Sequence, residues 1–292
     1  MSTNLFMRPA TARGFTLVEM IIALVITGIV AAMVGFFIRT PIRSYADIAR
    51  RTALVDAADT ALRRMSREIH LALPNSARVS ADQRAIEFFP TRTGGRYRAA
   101  IDSTPAAPVS DPLDFAANDT AFDVLGDPIA LTAGDQIVIY NLGIPGADAY
   151  AGNTGPSHNR RAYSGAGGTL AKIPLTSANP FPLDSPGRRF HVVSTPVTYI
   201  CDPVARTLRR YWGYAVQADS SAVDTVAELD ALVSPTNATR SSALVAENVD
   251  SCVFTYEAGL TQSNGLVAMR LIMRKDDESV SLIHQVHVNN VP

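Results

Sequence analysis

Two cysteines, Cys201 and Cys252, are the only thiols in the 292 residues. Neither belongs to a CxxC or CxxH cluster, so no zinc-ligand spacing is present. The chemistry left to them is a single bridge, which requires an oxidising compartment and would close a loop worth roughly 4 kcal/mol by chain entropy. Two buried free thiols are the alternative. His284 and His287 form an HxxH, but residues three apart on a strand point to opposite faces and do not converge on a metal. Gly165 to Lys172 is glycine-rich yet lacks the spacing of a phosphate-binding loop, and it reads as a flexible loop. Asp276-Asp277-Glu278 lacks the ligand ladder of a calcium loop and reads as a hairpin turn. Arg206, Arg209 and Arg210 lie beside Tyr211, Trp212 and Tyr214, the one patch with the makings of a single-strand nucleic-acid platform; alternating core aromatics and solvated arginines account for it as well. No GxSxG elbow and no HExxH motif occurs. No catalytic residue, metal or cofactor is therefore expected, and the chain reads as a structural subunit, not an enzyme.

One carboxylate stands out by its surroundings. From Met20 to Ile38 the chain carries no charge, and as a helix this run spans roughly 28 Å, enough to cross a bilayer. Glu19 sits at its very start, after the short segment Gly14-Phe15-Thr16-Leu17-Val18 and a leader containing Arg8 and Arg13. A carboxylate in lipid costs about 2–3 kcal/mol or more, so it requires a partner that an ordinary anchor does not supply. The apolar run is also longer than the core of a cleaved secretory signal, about 7–15 residues.

Arg13-Gly14-Phe15-Thr16-Leu17-Val18-Glu19-Met20-Ile21 resembles the processing motif of type IV prepilins. The resemblance implies that a prepilin peptidase cuts the Gly14–Phe15 bond and that the new Phe15 amine is methylated. It also implies that Glu19 pairs with the N-terminal amine of a neighbouring subunit and so sets register during assembly. The expected partners are other major and minor pilins, the peptidase, and an inner-membrane assembly platform. Counting arginines on the two sides of the span, with Arg39, Arg43, Arg50 and Arg51 following it, would leave the C-terminal part in the cytoplasm. The processing motif implies the opposite, a periplasmic domain on an inner-membrane anchor that is later built into a surface pilus, and it decides the expectation.

The elements that must hold these residues follow from periodicity. Beyond the span, Ile48, Val55, Leu62 and Ile69 recur every seven residues with Ala58, Met65 and Leu73 between them, so the helix is expected to continue to residue 73 with one apolar stripe. Asp47/Arg51, Asp59/Arg63 and Arg64/Glu68 lie at i,i+4 on its other face. Gly28 and Pro41 are expected to loosen or bend it, and Pro74-Asn75 to stop it. Short apolar runs at 85–89, 135–140, 189–200, 207–214, 252–256, 266–273 and 280–288 read as strands, while 104–119 and 145–168 read as loops.

The fold expected is α+β and pilin-like, a long N-terminal helix whose second half packs on an antiparallel sheet domain. Its parts are a leader at 1–14, a transmembrane and filament-core helix at 15–38, an amphipathic extension at 39–74, and a globular domain at 75–292. Composition agrees with a packed domain, at 47% hydrophobic and 18% charged residues. A formal net charge of −1 gives no ground to expect nucleic acid as a partner.

Gly94-Gly95-Arg96-Tyr97-Arg98, Phe122-Asp123-Val124-Leu125-Gly126, Gly134-Asp135 with Tyr140-Asn141-Leu142-Gly143, and Ser185-Pro186-Gly187-Arg188-Arg189-Phe190 with Thr198-Tyr199-Ile200-Cys201 resemble the O-type minor pilins of mannose-sensitive haemagglutinin (MSHA) pili. The closing pattern, Val249 to Tyr256 and Met269 to Met273, also resembles larger minor pseudopilins of type II secretion. The first likeness implies a part in priming pilus assembly that supports surface attachment. The rivals are the pseudopilin and a tip subunit that binds an adhesion ligand or DNA.

Overall fold

The computed structural model describes residues 14–104, 110–177, 179–232, 241–259 and 264–292. Arg8, Arg13 and the rest of the expected leader before Gly14 lie outside the described residues, as does part of the 104–119 loop. The chain divides into two compact units, one up to Thr52 and one from Ala53 onward.

Helix α1 runs over Leu17–His70, and the helical run passes through Gly28 and Pro41, the residues expected to loosen it. It stops three residues before the expected end. Leu71 and Ala72 still donate to the carbonyls of Glu68 and Ile69 in a tightened last turn, but Leu73 donates to Phe89 and Leu71 accepts from Thr91. Pro74 disfavours helical geometry at the residue before it, and sheet pairing takes that residue instead.

In the unit from Ala53, strands β1 (Arg78–Val79), β2 (Ala85–Phe88), β3 (Thr91–Tyr97) and β4 (Ala121–Leu125) come first. β5 (Ile129–Thr132), β6 (Gln136–Ile139), β7 (Arg160–Ala162), β8 (Gly167–Leu170) and β9 (Lys172–Pro174) follow. Then come β10 (Arg189–Val193), β11 (Val197–Asp202), β12 (Thr207–Trp212), the short helix α2 (Val226–Leu232) and β13 (Ser241–Glu247). β14 (Val249–Glu257), β15 (Asn264–Lys275) and β16 (Glu278–Asn289) close the chain. All described pairings are antiparallel: a five-stranded sheet β1-β2-β11-β12-β13, a six-stranded sheet β7-β6-β10-β3-β4-β9, a meander β14-β15-β16, and the pair β5-β8. This is the α+β, pilin-like arrangement the sequence predicts.

The stripe that packs is Leu54, Ala58, Ala61, Leu62, Met65 and Ile69, which joins Ile86, Phe88, Tyr199, Leu208, Phe254 and Leu271 in one core. Ile48 and Val55 of the expected heptad are exposed. The buried positions advance by four, three, one, three and four residues, the rhythm of a 3.6-residue helix, whereas a strict seven-residue row drifts off the contact face. Ala58 and Ala61 are small, which lets the helix approach the sheet closely. Asp59 and Arg63 form their predicted pair at 2.7 Å, but Asp47 pairs with Arg50 and Glu68 pairs with Arg210 of β12 at 2.7 Å. Glu68 lies on the flank facing the sheet, where both side chains are mostly buried and a guanidinium gains more than on the open helix face.

β2 and β11 are covered on both faces. Ile86, Phe88 and Tyr199 face the α1 core, and Ala85 and Ile200 face a second cluster that includes Leu229 of α2. A third core beneath the six-stranded sheet gathers Tyr97, Phe122, Ile137, Phe181, Phe190 and Val192.

Sequence patterning missed several strands for identifiable reasons. β3 reads TRTGGRY, too polar to stand out, yet Gly94 and Gly95 admit β10 so closely that a Cβ on Gly94 would sit 2.7 Å from the Phe190 carbonyl oxygen. The run expected as one strand over 189–200 breaks at Ser194–Pro196 into β10 and β11, which serve different sheets. The segments read as loops at 145–168 and 165–172 contain β7, β8 and the start of β9; β8 pairs with β5 through Gly167 and Gly168 at φ of +117° and +137°, a geometry closed to other residues, while β7 pairs with β6 and β9 with β4.

Candidate functional site

The helix that follows the sequence-predicted cleavage residues Gly14 and Phe15 begins where its own side chains tell it to. Thr16 is the N-cap: its Oγ1 accepts the Glu19 N–H at 3.3 Å, and Glu19 Oε2 accepts the Thr16 N–H at 3.4 Å. This reciprocal pair is a capping box, which satisfies two of the donors a helix start leaves open, and Glu19 also complements the positive end of the helix dipole. Sequence reasoning passed over the T-x-x-E spacing and expected Glu19 to find its partner in another subunit. Within one chain the partner is Thr16.

Gly14 and Phe15 therefore stand outside the helix, in coil. Phe15 is 85% exposed, and nothing lies within 4 Å of where a Gly14 Cβ would be. A peptide bond outside helical hydrogen bonding and free of packing is open to a peptidase.

Behind the cap, Leu17–Ile38 has a mean hydropathy of 2.8 over 22 residues, and none of it is buried by the rest of the chain. The hydroxyl of Thr27 donates to the Ala23 carbonyl at 2.7 Å, which removes its desolvation cost inside the run. By length and composition the segment is able to cross a membrane.

The remaining chemistry-bearing residues are placed apart from this segment. The structure joins Cys201 of β11 to Cys252 of β14 with a Cα–Cα distance of 6.2 Å, linking the five-stranded sheet to the meander. The loop so closed has a sequence separation of 51, for which chain entropy gives about 4 kcal/mol. A Cys201→Ala/Cys252→Ala double variant should lose about that much, read as a lower urea midpoint of the full-length protein in detergent. An unchanged midpoint would mean that the α1 core alone ties these sheets together.

The basic and aromatic cluster does not form a platform. Arg210 binds Glu68, Arg209 donates to Ser242, Arg206 donates to the Arg274 carbonyl, and the buried Tyr211 donates to Asp230 at 2.8 Å. Trp212 carries the Arg210 guanidinium 4.6 Å above its ring. His284 and His287 take alternate sides of β16, and the His287 carbonyl accepts from His70 Nδ1 at 3.0 Å. Asp276 and Asp277 make the two-residue turn between β15 and β16, Asp276 with a φ of +52°. Lys172, at the end of the glycine-rich stretch, pairs with Asp111 at 2.6 Å.

Sequence reading passed over a buried polar cluster. Glu87 of β2 is 3% exposed; Arg78 Nε donates to its Oε2 at 2.5 Å and the Tyr214 hydroxyl to its Oε1 at 2.7 Å. Tyr214 in turn meets the Thr198 hydroxyl. Arg78 also donates to the carbonyls of Ala218 and Gln217 and lies 3.6 Å over the Tyr150 ring. Burial pushes the Glu87 carboxyl up and the Arg78 charge and the Tyr214 hydrogen bond oppose it, with burial the larger effect. The cluster binds β1, β2, β11 and the 214–218 loop together.

Residues 10–35 match the family model of the prokaryotic N-terminal methylation motif. No curated protein and no solved structure matches the chain. That motif marks a precursor of the type IV pilin-like or pseudopilin class, a class whose members are structural rather than catalytic, anchored by the apolar helix and handled by prepilin peptidase and pilus-type assembly machinery.

Proposed function

We propose that this chain is a minor pilin of an MSHA-type type IV pilus, cleaved between Gly14 and Phe15, methylated on the Phe15 amine, and built into the filament through its N-terminal helix. The observation that carries the reading is the conjunction at the N-terminus: an unpacked Gly14–Phe15 bond, a capped helix start at Thr16 and Glu19, and a span, Leu17–Ile38, that no other described part of the chain covers. An apolar helix bare along its whole circumference needs lipid first and other apolar helices afterwards. The domain after the span would stand in the periplasm, where Cys201 and Cys252 meet an oxidising environment. Its part in the filament is priming of assembly in support of surface attachment, beside the other major and minor pilins and the inner-membrane platform.

The decisive measurement is the N-terminal mass and sequence of the protein from its native membrane. The expected first residue is N-methylated phenylalanine, Phe15. An intact Met1, or cleavage elsewhere, would overturn the reading and return the chain to signal-anchored periplasmic domains. If Phe15 is found, deletion of the gene distinguishes the two filament types: lost or sparse pili support the pilus subunit, while normal pili with impaired protein secretion would make it a type II pseudopilin.

A further inference from the structure

A cavity of about 400 Å³ opens where four segments meet: Asn75 just after α1, Tyr140 and Leu142 after β6, Pro186, Gly187 and Arg189 at the entry to β10, and Asn290–Pro292 after β16. Its walls are largely apolar, from Leu142, Pro186, Val291 and Pro292, and four polar side chains, Asn75, Tyr140, Arg189 and Asn290, complete it. Arg189 makes no ion pair or side-chain hydrogen bond among the described residues, and neither does the Tyr140 hydroxyl. The Asn75 amide nitrogen is committed to the carbonyls of Asn141 and Asn290, which leaves its Oδ1 an open acceptor.

The backbone around this cavity is unusual. Tyr140 and the adjacent Arg188 have φ of 51° and 54°, left-handed values uncommon for such residues, while Asn75 at 57° is of a type that takes this conformation readily. Such positions concentrate at ligand clamps and binding sites. The Arg189 side chain lies against Gly187, where a Cβ would come within 3.3 Å of its Nε and 3.4 Å of its Cδ. Two residues further along β10, on the same face, His191 is pushed down to about 4 by burial and by Arg189, and it has no partner for its buried Nε2. His191 does not line the cavity, and the positive charge among its lining residues is that of Arg189.

We propose that the cavity binds an acidic sugar residue, a uronic or sialic acid unit of a glycan, with its carboxylate on the Arg189 guanidinium. A guanidinium takes a carboxylate in a two-pronged, charge-assisted pair. Hydroxyls need donors and acceptors side by side, which the Tyr140 phenol and Asn75 Oδ1 supply, and the C–H faces of the ring match the apolar wall. Inorganic phosphate would leave that wall unused, and a neutral sugar would leave the guanidinium without a counter-charge. The inference stands on this cavity alone, so it survives or fails separately from the reading of the N-terminus.

The test uses the full-length protein in detergent, titrated calorimetrically with glucuronic acid, N-acetylneuraminic acid, glucose and an N-acetylated dipeptide with a free carboxylate. The expected result is saturable binding of at least one acidic sugar, with glucose and the peptide at least tenfold weaker. Arg189→Gln should weaken that binding about ten- to a hundredfold. Gly187→Ala, which keeps the charge but crowds the side chain, should weaken it several-fold, and Tyr140→Phe provides a third variant that leaves the backbone untouched. Binding of glucose or the peptide as tight as that of the acids, binding unchanged in Arg189→Gln and Tyr140→Phe, or no acidic-sugar binding at all would each overturn the proposal.

Discussion

Glu19→Gln is expected to remove the subunit from filaments by tenfold or more, while Thr16→Ala lowers its incorporation only slightly. Both residues serve the capping box, but the two substitutions separate cap from charge. Glutamine at the third helical position still reaches back to the N-cap N–H, so Glu19→Gln keeps the local hydrogen bond and deletes only the carboxylate charge. Thr16→Ala keeps the charge and costs about 1 kcal/mol of capping. If Glu19 pairs with the amine of a neighbouring subunit in a desolvated filament core, loss of the charge strands that amine and costs about 2–5 kcal/mol per contact. Immunoblots of sheared filaments, normalised to the membrane pool, measure this directly. Equal effects of the two variants would reduce Glu19 to a cap and remove the intersubunit pairing from the account.

Arg78→Met is expected to destabilise the domain by about 3–5 kcal/mol near neutral pH, the cost of leaving one member of a buried ion pair alone. Its guanidinium is the cation on Glu87, and it also donates to the carbonyls of Ala218 and Gln217. The loss should depend on pH with a defined sign. The Glu87 carboxyl already lies above its ordinary value of 4.5 because burial outweighs the Arg78 charge. A carboxyl raised on folding holds its proton more tightly in the native state, so its contribution is fully present below about 4.5 and is lost as pH rises through the folded value. Without Arg78 the main opposing influence is gone, the folded value climbs, and the window over which stability falls with rising pH widens. Urea midpoints of the full-length variant at pH 5 and pH 8 should therefore differ more than those of the parent. Adding Glu87→Gln should abolish the difference, because no proton is left to exchange. A variant equally destabilised at both pH values would show that the lost carbonyl hydrogen bonds, and not the buried charge, dominate.

The N-terminal third of this account was readable from residue order. Arg13 to Ile21 is contiguous and the apolar run to Ile38 is contiguous, so local sequence suffices to write them; the T-x-x-E cap, though equally local, was passed over. The amphipathic half of α1 was readable in kind, but its register was misjudged at Ile48 and Val55. A seven-residue repeat and a 3.6-residue helix agree for only a few turns before the sheet selects the face. Strands with near-continuous apolar runs, such as the QIVI of β6, declared themselves because they are covered on both faces. Those of mixed or glycine-rich composition, β3 and β8, did not, because their pairing depends on backbone approach and not on side-chain hydrophobicity.

What only tertiary structure decided is the chemistry made by distant segments. Glu87 meets Tyr214 across 127 residues and Asn75 meets Asn290 across 215, so neither the buried charge cluster nor the wall of the Arg189 cavity has a motif to betray it. The sequence by itself carried the methylation-motif match and the apolar run, since both are contiguous stretches that need no tertiary partners to be read. Its polar clusters and its cavity were left to the packing of strands whose neighbours are fixed by the fold, because burial and proximity are properties of the assembled sheet and not of any segment within it.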